Sequence, residues 1–170
     1  VIWVSGQAMG IRGLVNACTK THIGSVRPKN EDAFSNFILD GFETITIVCD
    51  GMGGLQAGEL ASQSAVDTLE IKLKASLPDA NSTAAVVDAL RDALAAANGA
   101  VHGVARQLVA GLPAEDKPLA GTTGVVAVVF QGELIVAHDY PAEIDKTRTL
   151  DKLYLEPLLK LSIENGGRIY

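Results

Sequence analysis

The stretch VCDGMGGLQAGE, residues 48–59, places a lone carboxylate, Asp50, at the end of an apolar run and follows it at once with Gly51, Met52, Gly53 and Gly54. The run before it, TITIVC, is rich in β-branched residues and reads as a strand. The segment after it, AGELASQSAVDTLEIKLKAS, carries Ala57, Ala61, Ala65, Leu69 and Leu73 at spacings of four, the stripe of an amphipathic helix. Asp50 therefore stands at a strand-to-helix junction. A flexible, solvated Asp-Gly turn would explain the glycines alone. The residues upstream give a more specific account.

Short strand-like runs precede the junction: LVNACTK from Leu14 and AFSNFIL from Ala33, the latter separated from TITIVC by Asp40, Gly41 and Phe42. If these last two runs form an antiparallel hairpin centred on Gly41, facing residues have numbers that sum to about 82. Asp32 then faces Asp50, with Glu31 one residue away. Three carboxylates brought to one hairpin end repel unless a cation sits among them, and hard oxygen donors favour magnesium, manganese or calcium over zinc. Gly51, Gly53 and Gly54 permit positive φ and close backbone approach, which lets a main-chain carbonyl join the ligands. Arg27 precedes Pro28, which disfavours a helix through it; an arginine fork beside such a cluster matches two phosphoryl oxygens. Lys20, His22 and Lys29 nearby read as surface residues or substrate contacts of low specificity.

Downstream, Pro78 ends the first helix, and Asn81 or Ser82 can cap a second whose stripe runs through Val86, Leu90, Leu94, Ala97, Val101 and Leu108. Gly99 and Gly103 within it each cost roughly 1 kcal/mol against alanine, and imply a kink or close packing on a neighbour. GLPAEDKPLAG reads as a polar loop, and TTGVVAVVFQGELIVAH as two strands joined at Gln131 and Gly132. Strands, two helices and strands again predict a mixed α/β protein in which helices cover antiparallel sheet.

The bulk properties narrow the function. A chain of 170 residues that is 48% hydrophobic is long enough for one sizeable core, so residues 1–170 are expected to form a single domain. A net charge of −6 with no basic block argues against nucleic acid. No apolar stretch is long enough for a membrane span, and the opening residues lack the pattern of a signal peptide. Cys18 and Cys49 lie in apolar contexts without C-x-x-C spacing, which reads as two small buried hydrophobes in a reducing compartment. The expected location is cytoplasmic. No dinucleotide or P-loop signature occurs.

With IGSVRPKNEDAF at 23–34, VCDGMGGLQAGELAS at 48–62 and AGTTGVVAVV at 120–129, the chain resembles the metal-dependent protein serine/threonine phosphatases of type 2C, above all bacterial ones. The resemblance covers residues 14–138, about the first half of the usual domain. It implies an α/β (α+β) four-layer sandwich, two antiparallel sheets flanked by helices, truncated on the C-terminal side. It implies that Arg27 holds substrate phosphate, that Asp50 bridges two Mn2+ or Mg2+ ions, that Gly51 donates its carbonyl to one, that Glu31 reaches a metal through water and that Asp32 orients the attacking water. The implied reaction is in-line hydrolysis of phosphoserine or phosphothreonine in a phosphoprotein by metal-activated water, with no side-chain nucleophile. Members of this family continue from the strand LIVAH into a Gly-Asp-Ser-Arg segment and later supply further carboxylates. Here the chain reads VAHDYPAEIDKTRTLDK, which leaves the two-metal shell incomplete; Asp139, Asp145 and Asp151 have no spacing that argues for them as substitutes. The alternative is a catalytically inactive phosphatase-like module for binding or regulation. The divergent tail, residues 139–170, carries leucines around Pro157 and is expected to cover an open sheet edge or, over 147–170, to bind a partner chain.

Overall fold

The computed structural model describes residues 3–7, 16–25, 29–53, 57–108, 110 and 120–139. Arg27, Gly54, the greater part of the polar loop, Asp145, Asp151 and the expected tail element around Pro157 lie outside the described residues.

Two antiparallel sheets and a helical layer are seen, the α+β architecture expected from the sequence. The smaller sheet pairs β1 (Trp3–Gln7) with β2 (Asn16–Lys20). β1 was not anticipated. The larger sheet has the order β3-β4-β6-β7, from β3 (Asp32–Phe37), β4 (Phe42–Met52), β6 (Gly124–Phe130) and β7 (Glu133–Asp139), and the short β5 (Gly121–Thr122) pairs with the far end of β4.

The two hairpins close as their turn chemistry dictates. Between β3 and β4 the Phe42 amide donates to the Leu39 carbonyl at 3.0 Å, and Gly41 takes the positive φ of 83° that such a turn needs at its third residue. Between β6 and β7, Gln131 and Gly132 both have positive φ, 52° and 78°, which matches strand twist across a two-residue loop. The register that follows pairs Asp32 with Asp50, Phe34 with Val48 and Asn36 with Thr46, each pair summing to 82. A register shift between Phe42 and Thr44 makes Glu43 an extra residue, so that Phe42 meets Phe130 with ring centroids 4.9 Å apart.

Helix α1 (Ala57–Ser76) and helix α2 (Thr83–Leu108) pack together on one face of this sheet. Alternation sends Ile45, Ile47, Cys49, Val126, Val128 and Ile135 toward them, all almost fully buried. Leu69, Leu73, Leu77, Val86 and Leu90 answer from the helical side, and burial of each such side chain contributes roughly 1.5–3 kcal/mol before ordering entropy. Burial also pushes the Cys49 thiol up to about 12, so it stays protonated at neutral pH and packs as a small hydrophobe. Ser82 caps α2, its hydroxyl accepting the Ala85 amide at 3.3 Å and its carbonyl the Val86 amide at 3.0 Å.

Two expectations are corrected here. β4 does not end at Asp50: it runs on through Gly51 to Met52 because β5 supplies partners for those residues. Helix α2 passes through Gly99 and Gly103 unbroken, and among the described residues a Cβ on either would meet no atom of another element within 4 Å, so neither glycine marks close packing there. Among the described residues no helix is long and apolar enough to cross a membrane.

Candidate metal and phosphate site

The site end of the sheet is built on main-chain bonds. The Gly51 amide donates to the Glu31 carbonyl at 3.1 Å, a single bond just beyond the β3–β4 ladder, which begins at the Asp32–Asp50 pair. Residues 32 and 50 are then the adjacent non-hydrogen-bonded pair, the closer of the two kinds, with Cα atoms typically about 4.5 Å apart. Asp32 and Asp50 are thus brought together as the sequence predicts.

Asp50 is held from its outer side by Thr123. Its amide donates to the Thr123 hydroxyl at 3.1 Å, and its carbonyl accepts the Thr123 amide at 2.9 Å. Asp32 is held from the loop before β3. Its amide donates to Asn30 Oδ1 at 3.2 Å, Asn30 Nδ2 donates to the Thr21 hydroxyl at 2.9 Å, and that hydroxyl donates to Asp32 Oδ2 at 3.3 Å.

Glu31 departs from the expected convergence. Strand alternation puts residue 31 on the opposite face from residue 32, so its carboxylate runs toward the first turn of α1. A Cβ built on Gly58 would lie 2.7 Å from Glu31 Oε1. The positive end of the α1 dipole favours an acid there by about 0.3–1 kcal/mol. Among the described residues no group of three or more His, Cys, Asp or Glu side chains is disposed to hold a metal ion. Among the described residues the register pairs two of these carboxylates, Asp32 and Asp50.

Gly51 is required by close approach. A Cβ there would stand 2.1 Å from the Gly58 carbonyl oxygen and 2.6 Å from that of Glu31, both main-chain atoms that cannot swing aside. Its φ is not positive; among the described residues of this run, Gly53 takes a positive φ, 141°. The same contact zone holds Ser62, whose hydroxyl is 2.6 Å from the Glu31 carbonyl and 3.2 Å from that of Glu59.

Lys20 and Lys29 are exposed, and Lys29 comes within 3.9 Å of Glu59, an exposed pair worth little. His22 is exposed and its Nδ1 accepts the Gly24 amide at 2.9 Å. Sequence reasoning missed Thr21, Asn30, Gly58, Ser62 and Thr123. The Gly-Thr-Thr opening of the third motif was a signal for Thr123, and a serine beside the small-residue stripe of α1 was one for Ser62.

The donors fit a hard divalent cation in kind, since they are carboxylate and carbonyl oxygens. In number they supply a partial shell, which water would complete.

A protein-family profile described as protein phosphatase 2C matches residues 20–138. Among solved structures, a bacterial serine phosphatase with an arginine-to-alanine substitution is 32% identical, covering 71% of this chain and 51% of that one, with a TM-score of 0.51. The same description with an arginine-to-glutamate substitution gives 27% identity, 82% and 52% coverage and a TM-score of 0.51. The PPM Ser-Thr phosphatase MsPP from Mycobacterium smegmatis, in complex with cacodylate, is 25% identical over 82% of this chain and 45% of that one, with a TM-score of 0.47. The chain spans about half the length of these structures. No curated protein matches significantly. With its profile match running from the end of β2 through β7 and enclosing the Asp32–Asp50 pair, the chain belongs to the protein phosphatase 2C family.

Proposed function

We propose that this chain carries the metal- and phosphate-binding part of a phosphatase that hydrolyses phosphoserine and phosphothreonine in proteins. The observation that carries the reading is the Asp32–Asp50 pair: two carboxylates directly opposite across an antiparallel ladder, each main chain fixed by separate hydrogen bonds. Two carboxylates so placed offer hard oxygen donors that one divalent cation can share. The family is generally dependent on Mn2+ or Mg2+. When bound, such an ion supplies Lewis acidity toward phosphoryl oxygens and lowers the pKa of a coordinated water.

The chain's own residues have distinct parts in this reading. Asp50 and the Gly51 carbonyl hold the cation, with the strand extension to Met52 setting where that carbonyl can point. Asp32 accepts a proton-bearing partner on the same face and orients the attacking water. Glu31, on the α1 side, would reach a cation only through water. Arg27 receives the phosphate of the substrate protein, its fork matching two phosphoryl oxygens.

A second reading is favoured by one observation, the limit of two paired carboxylates among the described residues. A shell this sparse suits a phosphatase-like domain that binds phosphoproteins or other chains without turnover.

The test is Mn2+ titration by calorimetry, with turnover of a phosphothreonine peptide measured in parallel. We expect weak binding in the wild type, abolished in Asp50→Asn. Equal Mn2+ affinity in both proteins refutes the site. Binding without turnover supports the second reading.

A further inference from the structure

Ser62 is 1% exposed, set in α1 one helical turn beyond Gly58 and beside Ala61, Ala65 and Val66. Alanine at this position would serve the helix better, by roughly 0.5 kcal/mol. A buried hydroxyl in that setting must be satisfied, and its shorter contact is not within its own helix but to the Glu31 carbonyl, at 2.6 Å. That carbonyl also accepts the Gly51 amide. One oxygen therefore joins three elements: the start of β3, the extended end of β4 and the first turns of α1.

Resting on the metal reading above, we infer that Ser62 is a positioning residue of the site. Through the Glu31 carbonyl it fixes the spacing between the segments that carry Asp32 and Asp50. The Gly51–Glu31 hydrogen bond lies immediately beside the 32–50 pair, so a shift of Glu31 relative to Gly51 changes the separation of the segments that carry the two carboxylates. Mg2+-type ions accept oxygen ligands only within a narrow distance range, and a site loosened by about 1 Å loses affinity. Gly58 cooperates from the same face, its lack of a side chain letting α1 come close enough for the serine to reach.

The test is calorimetric Mn2+ binding to the full 170-residue chain and three variants, each also melted thermally. Ser62→Ala should bind Mn2+ about 10-fold more weakly or worse, the lower end of what loss of an outer hydrogen-bond partner costs a metal site. Ser62→Cys, which keeps the volume and weakens the donor, should behave likewise if the alanine variant folds poorly. Val66→Ala removes neighbouring core volume without touching the Glu31 carbonyl, and should lower the melting temperature while leaving Mn2+ affinity at the wild-type value. Wild-type affinity in Ser62→Ala and Ser62→Cys overturns the inference and leaves the metal site standing. So does an equal loss in Val66→Ala, which would make the effect one of general stability. Absence of Mn2+ binding in the wild type overturns the metal reading, and this inference with it.

Discussion

Replacing Gly51 with alanine should be among the most damaging single-methyl additions to this protein. The new Cβ would stand 2.1 Å from the Gly58 carbonyl oxygen, and ordinary contacts of that kind begin near 3.4 Å, so α1 and β4 must separate by about 1.3 Å. The second obstacle, the Glu31 carbonyl at 2.6 Å, blocks the simplest sideways escape. Overpacking of this sort costs about 1–3 kcal/mol. The separation also strains the Gly51–Glu31 and Ser62–Glu31 hydrogen bonds, at about 1 kcal/mol each. The sum, about 3–5 kcal/mol, is a large share of the ~5–15 kcal/mol that holds a typical domain folded. At about 2–4 °C per kcal/mol for a protein of this size, the melting temperature should fall by roughly 6–20 °C. Gly58→Ala supplies the internal comparison. Its nearest obstacle is Glu31 Oε1 at 2.7 Å, the far end of a side chain that can rotate away, so the loss should be about 1–2 kcal/mol. Thermal melts by circular dichroism decide the matter. A Gly51→Ala protein within 2 °C of wild type, or one more stable than Gly58→Ala, refutes the close-approach argument.

Two further outcomes follow from helix chemistry. Gly99→Ala should raise stability by about 0.5–1 kcal/mol, because a Cβ there meets no other element among the described residues within 4 Å and the helix gains propensity; a fall in melting temperature would show packing on that face. Hydrogen bonds from Lys74 and Ser35 hold the Glu70 carboxyl below its usual 4.5, so the folded state favours its charged form. The stabilisation is therefore present above pH ~4.5 and lost as pH falls through the depressed value. Melts of wild type and Glu70→Gln should differ at pH 7 by no more than about 1 kcal/mol and converge as pH falls through the depressed value; a gap that widens in acid contradicts the assignment.

The register of the site was legible from the sequence because it depends on local chemistry alone. Gly41 in a short turn fixes the centre of the β3–β4 hairpin, and the two strands carry that centre out to Asp32 and Asp50. The same alternation rule, applied one residue further, separates Glu31 from that pair; the expected cluster of three carboxylates fails on the two-residue period of a strand. The continuation of β4 to Met52 was not legible, because its partner, β5, lies some seventy residues downstream and is only Gly121 and Thr122. A two-residue strand leaves no periodic signal.

The glycine run was legible in kind, positive φ and close approach, but not in which element approaches. Positive φ is a property of one residue and can be guessed from composition, whereas close approach is a property of two elements. Gly51 is needed because α1 comes down on β4, and α1 can do so because its first turns are lined with Ala57, Gly58, Ala61, Ser62 and Ala65 before the larger Val66, Leu69 and Leu73 begin. The stripe is tapered, small at the end near Asp50 and bulky toward Ser76. A helix with that taper lies closest to the sheet where its residues are smallest. The Ala57–Ala61–Ala65 spacing that first marked α1 as amphipathic therefore also specified where it would touch the strand. The contact falls at the end that holds Asp50, so the packing of α1 and the placement of the site are one and the same feature of the sequence.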